Sequence, residues 1–173
     1  MVIQQKPVVH IALILIAVFA GYLFYDNFIA SDDAETGIQL GNIVLDQTIP
    51  SVYGNESVSF SEYSGRVLVI DFMAPWCEPC KDQIPILREV NNIDGVDVIS
   101  INIDRRYDME TLIEFGAVEG IEWYFGHNPP SALDFEVAGI PTIIVVNREG
   151  LIVHRAYFTT MNDFERLLPD LID

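Results

Sequence analysis

Two cysteines, three histidines and nine basic side chains are all that this 173-residue chain contains of those classes. Two thiols cannot build a structural zinc centre, which takes about four ligands. The histidines do not complete one: His10 lies in an apolar run, and His127 and His154 stand apart, each read as a surface or capped-core residue. Against nine Lys and Arg stand 26 Asp and Glu, a formal charge of −17 at pH 7. A phosphate backbone would repel such a chain, so nucleic acid is a poor partner. The acidity fits either an adaptation to salt or a demand for solubility. Internal repeats and low-complexity tracts are also missing.

One long apolar run is present. PVVHIALILIAVFAGYLFY (7–25) holds no Asp, Glu, Lys or Arg. Residues 8–25 would span roughly 27 Å as a helix, enough to cross a bilayer with snorkelling ends. Tyr22 and Tyr25 sit near one end, where amphipathic rings favour the interface. The run is apolar on every face, unlike a core helix. It also exceeds the usual apolar stretch of a cleaved signal peptide, although small residues (Ala30, Ser31) follow it. It is read as an uncleaved anchor over residues 1–30. Lys6 precedes it and Asp26, Asp32, Asp33 and Glu35 follow, which places the remainder of the chain outside the cytoplasm.

Residues 31–37 (SDDAETG) carry no apolar period and read as a linker. From Ile38 to Gly65, short apolar runs broken by Gly, Pro and Asn predict small strands and a hairpin. RVLVIDFM (66–73) is apolar on both alternations, the pattern of a central strand covered on both sides. A helix is expected over 79–92 with Ile84, Leu87 and Val90 inward and Pro85 kinking it. VDVISINID (96–104) predicts a second buried strand. A helix around 109–115, an irregular stretch with Trp123 and Tyr124, and a short helix over 132–137 follow. TIIVVN (142–147) and LIVHRAYF (151–158) predict a hairpin, and Thr160 or Asn162 caps a last helix over 163–171. Helices between strands give an α/β fold; the short 147–151 link makes its sheet mixed.

The two cysteines, Cys77 and Cys80, stand in DFMAPWCEPCKDQIPIL (71–87). A disulfide between residues this close closes too small a loop to stabilise a fold much. Redox exchange suits the spacing better. A strand ending near Met73 delivers Cys77 to an exposed helix start, where unpaired N–H groups and the helix dipole favour a thiolate. Pro79 fits the first turn, where its missing N–H costs nothing. Cys80, nearly one turn later, can attack a mixed disulfide formed at Cys77. Glu78 adds negative charge, and no His lies between the thiols, so a strongly oxidising pair is disfavoured.

That segment resembles the thioredoxin active site, and GIPTIIVV (139–146) resembles the superfamily's cis-proline loop, which makes Ile140–Pro141 the expected cis bond. VSFSEYSGRVLVIDF (58–72) is similar to the lead-in of the membrane-anchored TlpA/ResA-like thiol–disulfide reductases. The resemblance covers residues 38–173. It implies a thioredoxin fold with an amino-terminal β extension and a central insertion between Asp104 and Pro141. It also implies disulfide exchange with client proteins, with cytochrome c maturation as one setting, re-reduction by a membrane electron donor, and no cofactor beyond the Cys77–Cys80 pair. Pro141 and Ile140 would present backbone to an extended client chain.

Two positions depart from that group. Asp71 stands where many members have Asn, and Gln83 stands where many have Glu. An Asp within an apolar strand should have a raised pKa and can carry the Cys80 proton near neutrality, or it can merely satisfy buried donors. Asp82 is expected to face solvent. Trp76 either shields the sulfurs and contacts clients or fills core. Trp123 and Tyr124 are packing residues or a client surface, and Arg105 and Arg106 are read as solvated. A disulfide oxidase or isomerase is the nearest alternative. A copper carrier is another, although C-x-x-x-C spacing and a nearby His are not evident. Peroxidase chemistry lacks its Thr or Ser, since Ala74 is three residues before Cys77.

Overall fold

The computed structural model describes residues 34–172. The anchor expected over 1–30 and most of the linker lie outside those residues. Among the described residues no helix is long and apolar enough to cross a membrane. The folded domain starts slightly before Ile38: Thr36–Gly37, expected as linker, form strand β1, parallel to β2 (Ile43–Val44). β3 (Thr48–Pro50) and β4 (Ser57–Ser59) make the anticipated hairpin. A 3-10 turn (Phe60–Tyr63) leads into β5 (Val67–Met73), α1 (Glu78–Asn91) and β6 (Val96–Asn102). After them come α2 (Met109–Glu119), β7 (Tyr124–His127) and α3 (Ser131–Asp134). β8 (Thr142–Val146), β9 (Ile152–Ala156), α4 (Met161–Leu167) and α5 (Pro169–Ile172) complete the chain.

β5 to β9 form one mixed sheet in the order β7-β6-β5-β8-β9. β5, β6 and β7 run parallel, while β8 and β9 are antiparallel neighbours, as the short 147–151 link required. All seven residues of β5 are buried. Because side chains alternate across a strand, β5 feeds two cores. Val67, Val69 and Met73 join Ile84, Leu87 and Val90 of α1 on one face, with Phe164 and Leu168. Leu68, Ile70 and Phe72 join Phe60 and Phe135 on the other. The Phe135 ring lies 5.1 Å from that of Phe72 and 5.9 Å from that of Phe60.

Three further expectations are corrected. The stretch with Trp123 and Tyr124 is not irregular: Tyr124–His127 is the parallel edge strand, so the 105–140 interval supplies sheet as well as helices. Four residues ending in Gly-His carry little β pattern alone; pairing with β6 makes the strand. α2 runs past Phe115 to Glu119, because Gly116 continues the helix, and Gly120 ends it with left-handed backbone (φ 68°). Arg88 of α1 donates to the carbonyls of Glu119 (2.7 Å) and Gly120 (3.2 Å), satisfying acceptors left over at that helix end. The final helix is two pieces, capped by Thr160, with Pro169 opening the second.

The amino-terminal extension is pressed onto β7. Val52 N–H donates to Phe125 O (3.0 Å), and Ser51 bridges Gly126. A Cβ on Gly126 would sit 2.2 Å from Ile49 Cγ2 and 3.0 Å from Pro50 O, so only glycine allows the extension this close. Gly126→Ala is expected to lower stability by about 1–3 kcal/mol, the usual penalty for overpacking. Urea unfolding at neutral pH measures it, and an unchanged midpoint would show that the extension does not bear on β7.

Candidate redox site

Cys77 is the N-cap of α1, with extended backbone (φ −85°, ψ 103°), and Glu78 and Pro79 occupy the first turn. The cap follows directly from the local sequence: Pro79 cannot donate and needs no acceptor there, and the Cys77 sulfur accepts from Cys80 N–H at 3.2 Å. The helix start therefore points N–H groups at the sulfur that must carry charge. Cys77 and Cys80 form a disulfide, Cα atoms 5.2 Å apart. In this oxidised state Cys77 is less open than its place at a helix start predicts: it keeps 3% exposure against none for Cys80. The asymmetry survives, but it is narrow. Glu78, bound to Lys81 at 2.8 Å, has part of its charge offset.

Asp71 lies between Val69 and Met73 on β5, so it faces the same core as both cysteines. Burial pushes its carboxyl up to about 7, and a hydrogen bond from Ser100 pulls the other way. Ser100 Oγ lies 2.8 Å from Asp71 Oδ2, and Trp123 Nε1 lies 3.0 Å from the same Oγ. An indole N–H can only donate, so Ser100 accepts from Trp123 and its single proton goes to Asp71 Oδ2. That leaves Asp71 Oδ1 buried and without a partner. Trp123 is thus a buried donor to Ser100 and not a client surface; Tyr124 packs beside the extension, its hydroxyl donating to Ile49 O (2.7 Å).

Gln83, where the resembling group often carries Glu, is fully buried. Its Nε2 donates to Thr159 O, and Thr159 N–H donates to its Oε1, both at 2.9 Å. An ionised Glu could accept but not donate, so this two-way lock with the segment after β9 explains the amide. Asp82 is exposed, as expected. His127 bonds Asn102 (2.8 Å) and His154 bonds Thr159 (2.9 Å), which fits the capped-core role for both.

Trp76 is 54% exposed, so it is a surface residue and not core. Its Nε1 donates to Asp104 Oδ2 (2.7 Å), and Arg106 Nε holds Asp104 Oδ1 at 3.0 Å. The Arg106 guanidinium keeps Asp104 well below the usual carboxylate range, with the Trp76 N–H assisting. Arg106 is therefore solvent-facing yet paired. The Ile140–Pro141 bond is cis, as expected, and Thr142 Oγ1 donates to Gly139 O (2.6 Å) beside it. Trp76, Asp104 and Ile140 line one open groove of about 400 Å³. Ser100 and the Trp76–Asp104 pair were not found from sequence. A lone Ser in the apolar run VDVISIN was the available signal, and it needed the β5–β6 register, which pairs Asp71 with Ser100.

A carboxyl raised on folding binds more protons in the native than in the unfolded chain between about pH 4 and 7. Its contribution therefore falls as pH rises through that window and levels off above it. Asp71→Asn keeps an acceptor for Ser100 and removes the charge. The oxidised variant is expected to match the parent near pH 4 and exceed it by a few kcal/mol at pH 8. Denaturant midpoints at the two pH values measure this; an equal effect at both would place the Asp71 titration elsewhere.

A family model described as Redoxin matches residues 39–166. Thiol-disulfide oxidoreductase ResA of Geobacillus kaustophilus (strain HTA426) is 25% identical over 182 residues, covering 97% of each chain. ResA of Bacillus subtilis (strain 168) is 27% identical over 163 residues, covering 87% of this chain and 84% of its own. The thioredoxin domain of a thiol-disulfide oxidoreductase from Bacteroides vulgatus superposes with a TM-score of 0.67 at 21% identity, over 79% of this chain and 100% of that one. At that identity the likeness is one of fold, and it is the thioredoxin fold anticipated from the motifs. With the fold, the CxxC pair at a helix start and the cis-proline loop in place, the chain belongs to the Redoxin family.

Proposed function

We propose that this thiol–disulfide oxidoreductase is a membrane-anchored, extracytoplasmic reductase of client-protein disulfides. The observation that carries it is the buried Asp71 carboxyl, raised to about 7, with one free oxygen on the sheet face shared with Cys77 and Cys80. A base of that strength suits deprotonation of a resolving thiol near neutrality. The Cys77 thiolate attacks one client sulfur, forming a mixed disulfide and releasing a client thiolate. Cys80 passes its proton to Asp71 and attacks the Cys77 sulfur. That step frees the second client thiol and leaves the Cys77–Cys80 disulfide, so two electrons pass from the pair to the client. Ile140 and Pro141 present backbone to the client strand, and Trp76 walls the groove. No cofactor takes part. A membrane electron donor returns the two electrons, since an oxidising exterior would drain the pair. The anchor and the outward orientation rest on the 7–25 run and on Lys6. Cytochrome c maturation is one setting for such clients.

Unequal thiol roles give the test. Cys80→Ser is expected to accumulate covalent client adducts that reductant releases, and Cys77→Ser to trap almost none, read on non-reducing gels. A copper carrier predicts the reverse symmetry, with Cu(I) binding lost equally in both variants and no adduct; that result would remove the exchange mechanism.

Orientation is tested separately. In intact cells a membrane-impermeant thiol reagent is expected to label reduced Cys77. Labelling that appears only after lysis would put the domain on the cytoplasmic side.

A further inference from the structure

Basic side chains are scarce in this chain, and the described ones are nearly all committed. Arg66 is paired with Asp97, Lys81 with Glu78, Arg106 with Asp104 and Arg166 with Asp163. Arg88 donates to the carbonyls of Glu119 and Gly120, Arg148 to those of Gly65 and Ile172, and Arg155 to those of Ile38 and Phe135. Among the described Lys and Arg residues, Arg105 alone has neither a carboxylate nor a carbonyl partner. It is exposed, in a chain of formal charge −17. The carboxylate next to it in sequence, Asp104, is already held by Arg106 and Trp76.

The place of this free guanidinium is specific. Arg105 lines the groove of about 400 Å³ that also carries Trp76, the paired Asp104 and Arg106, Val137 and Ile140, and Trp76 directly precedes Cys77 in the chain. We propose that Arg105 selects clients: the groove takes an extended client segment with a carboxylate side chain close to its disulfide, and Arg105 pairs with that carboxylate. The assignment rests on the exchange mechanism above. Its electrostatics work at two ranges. The acidic domain repels an acidic partner as a whole, but at physiological salt that field fades over about 8 Å. A single client carboxylate within the groove meets the local cation instead. The client that fits is neutral or basic overall and acidic next to the cysteine under attack.

The test uses the full-length chain in mild detergent, reduced and then freed of reductant. It is mixed with symmetrical disulfides of short single-cysteine peptides that carry Glu, Gln or Lys two residues to either side of the cysteine. Each turnover releases two peptide thiols as Cys77–Cys80 becomes a disulfide, and thiol release gives the rate. At about 0.15 M salt, where the field of the whole domain is screened, a Glu peptide is expected to react about threefold faster than its Gln counterpart, the size of an exposed ion pair. That advantage shrinks in high salt and disappears in Arg105→Gln. Net charge alone predicts the opposite order, with Lys fastest and Glu slowest. The opposite order, equal rates for all peptides, or a Glu advantage that persists in Arg105→Gln would each overturn the assignment while leaving the exchange mechanism standing. A chain that reduces none of the peptides removes both.

Discussion

Residues 67–73 are hydrogen-bonded to β6 on one side and β8 on the other, and a hydrophobic core covers each face. A carboxyl group in the middle of such a strand has no route to water. Desolvation disfavours its charged form, and the surrounding chain must supply whatever polar contact it receives. Ser100, itself held by the Trp123 N–H, supplies it to one oxygen, and the other is left bare. The proposed proton transfer from Cys80 depends on this constraint. A carboxylate at the surface would hold its proton too weakly to exchange it with a thiol near neutrality, and one fully satisfied by donors would be acidic again.

The same strand sets the geometry of the sulfurs. It ends at Met73, and the next few residues carry the chain into α1 with Cys77 as its cap. Helix-start N–H groups then face one sulfur, while the other lies within the first turn against the core. The two thiols therefore differ in environment for a reason of backbone direction, not of composition. On the outer side, Trp76 is tied through Asp104 to Arg106, so the groove has a fixed aromatic wall. On the inner side, the Gln83–Thr159 pair fastens α1 to the segment after β9.

Gln83 and Asp71 make one point together. The resembling group often places its acid three residues after the second cysteine, whereas here that position holds an amide whose donor and acceptor are both used by the backbone of one buried residue, Thr159. The acid sits instead on the central strand, on the same core face. In this chain the lock at Thr159 leaves no place for a carboxylate at position 83.

Much of this molecule was legible in its sequence. The double alternation of RVLVIDFM identified a strand buried on both faces, and the cysteine spacing with Pro79 identified a helix start bearing a redox pair. GIPTIIVV marked the cis-proline loop, and the short 147–151 link required an antiparallel pair. Those are local signals, because strand period, capping and turn length are properties of adjacent residues. Contacts between distant segments were not legible. That Tyr124–His127 is a strand depends on β6 being there to pair with it. That Ser100 faces Asp71 depends on a register set by seven paired residues. That Arg105 is left free depends on where the other cations found partners. Sequence determined which residue types were present for chemistry; tertiary pairing decided which buried oxygen and which exposed cation were left without a partner.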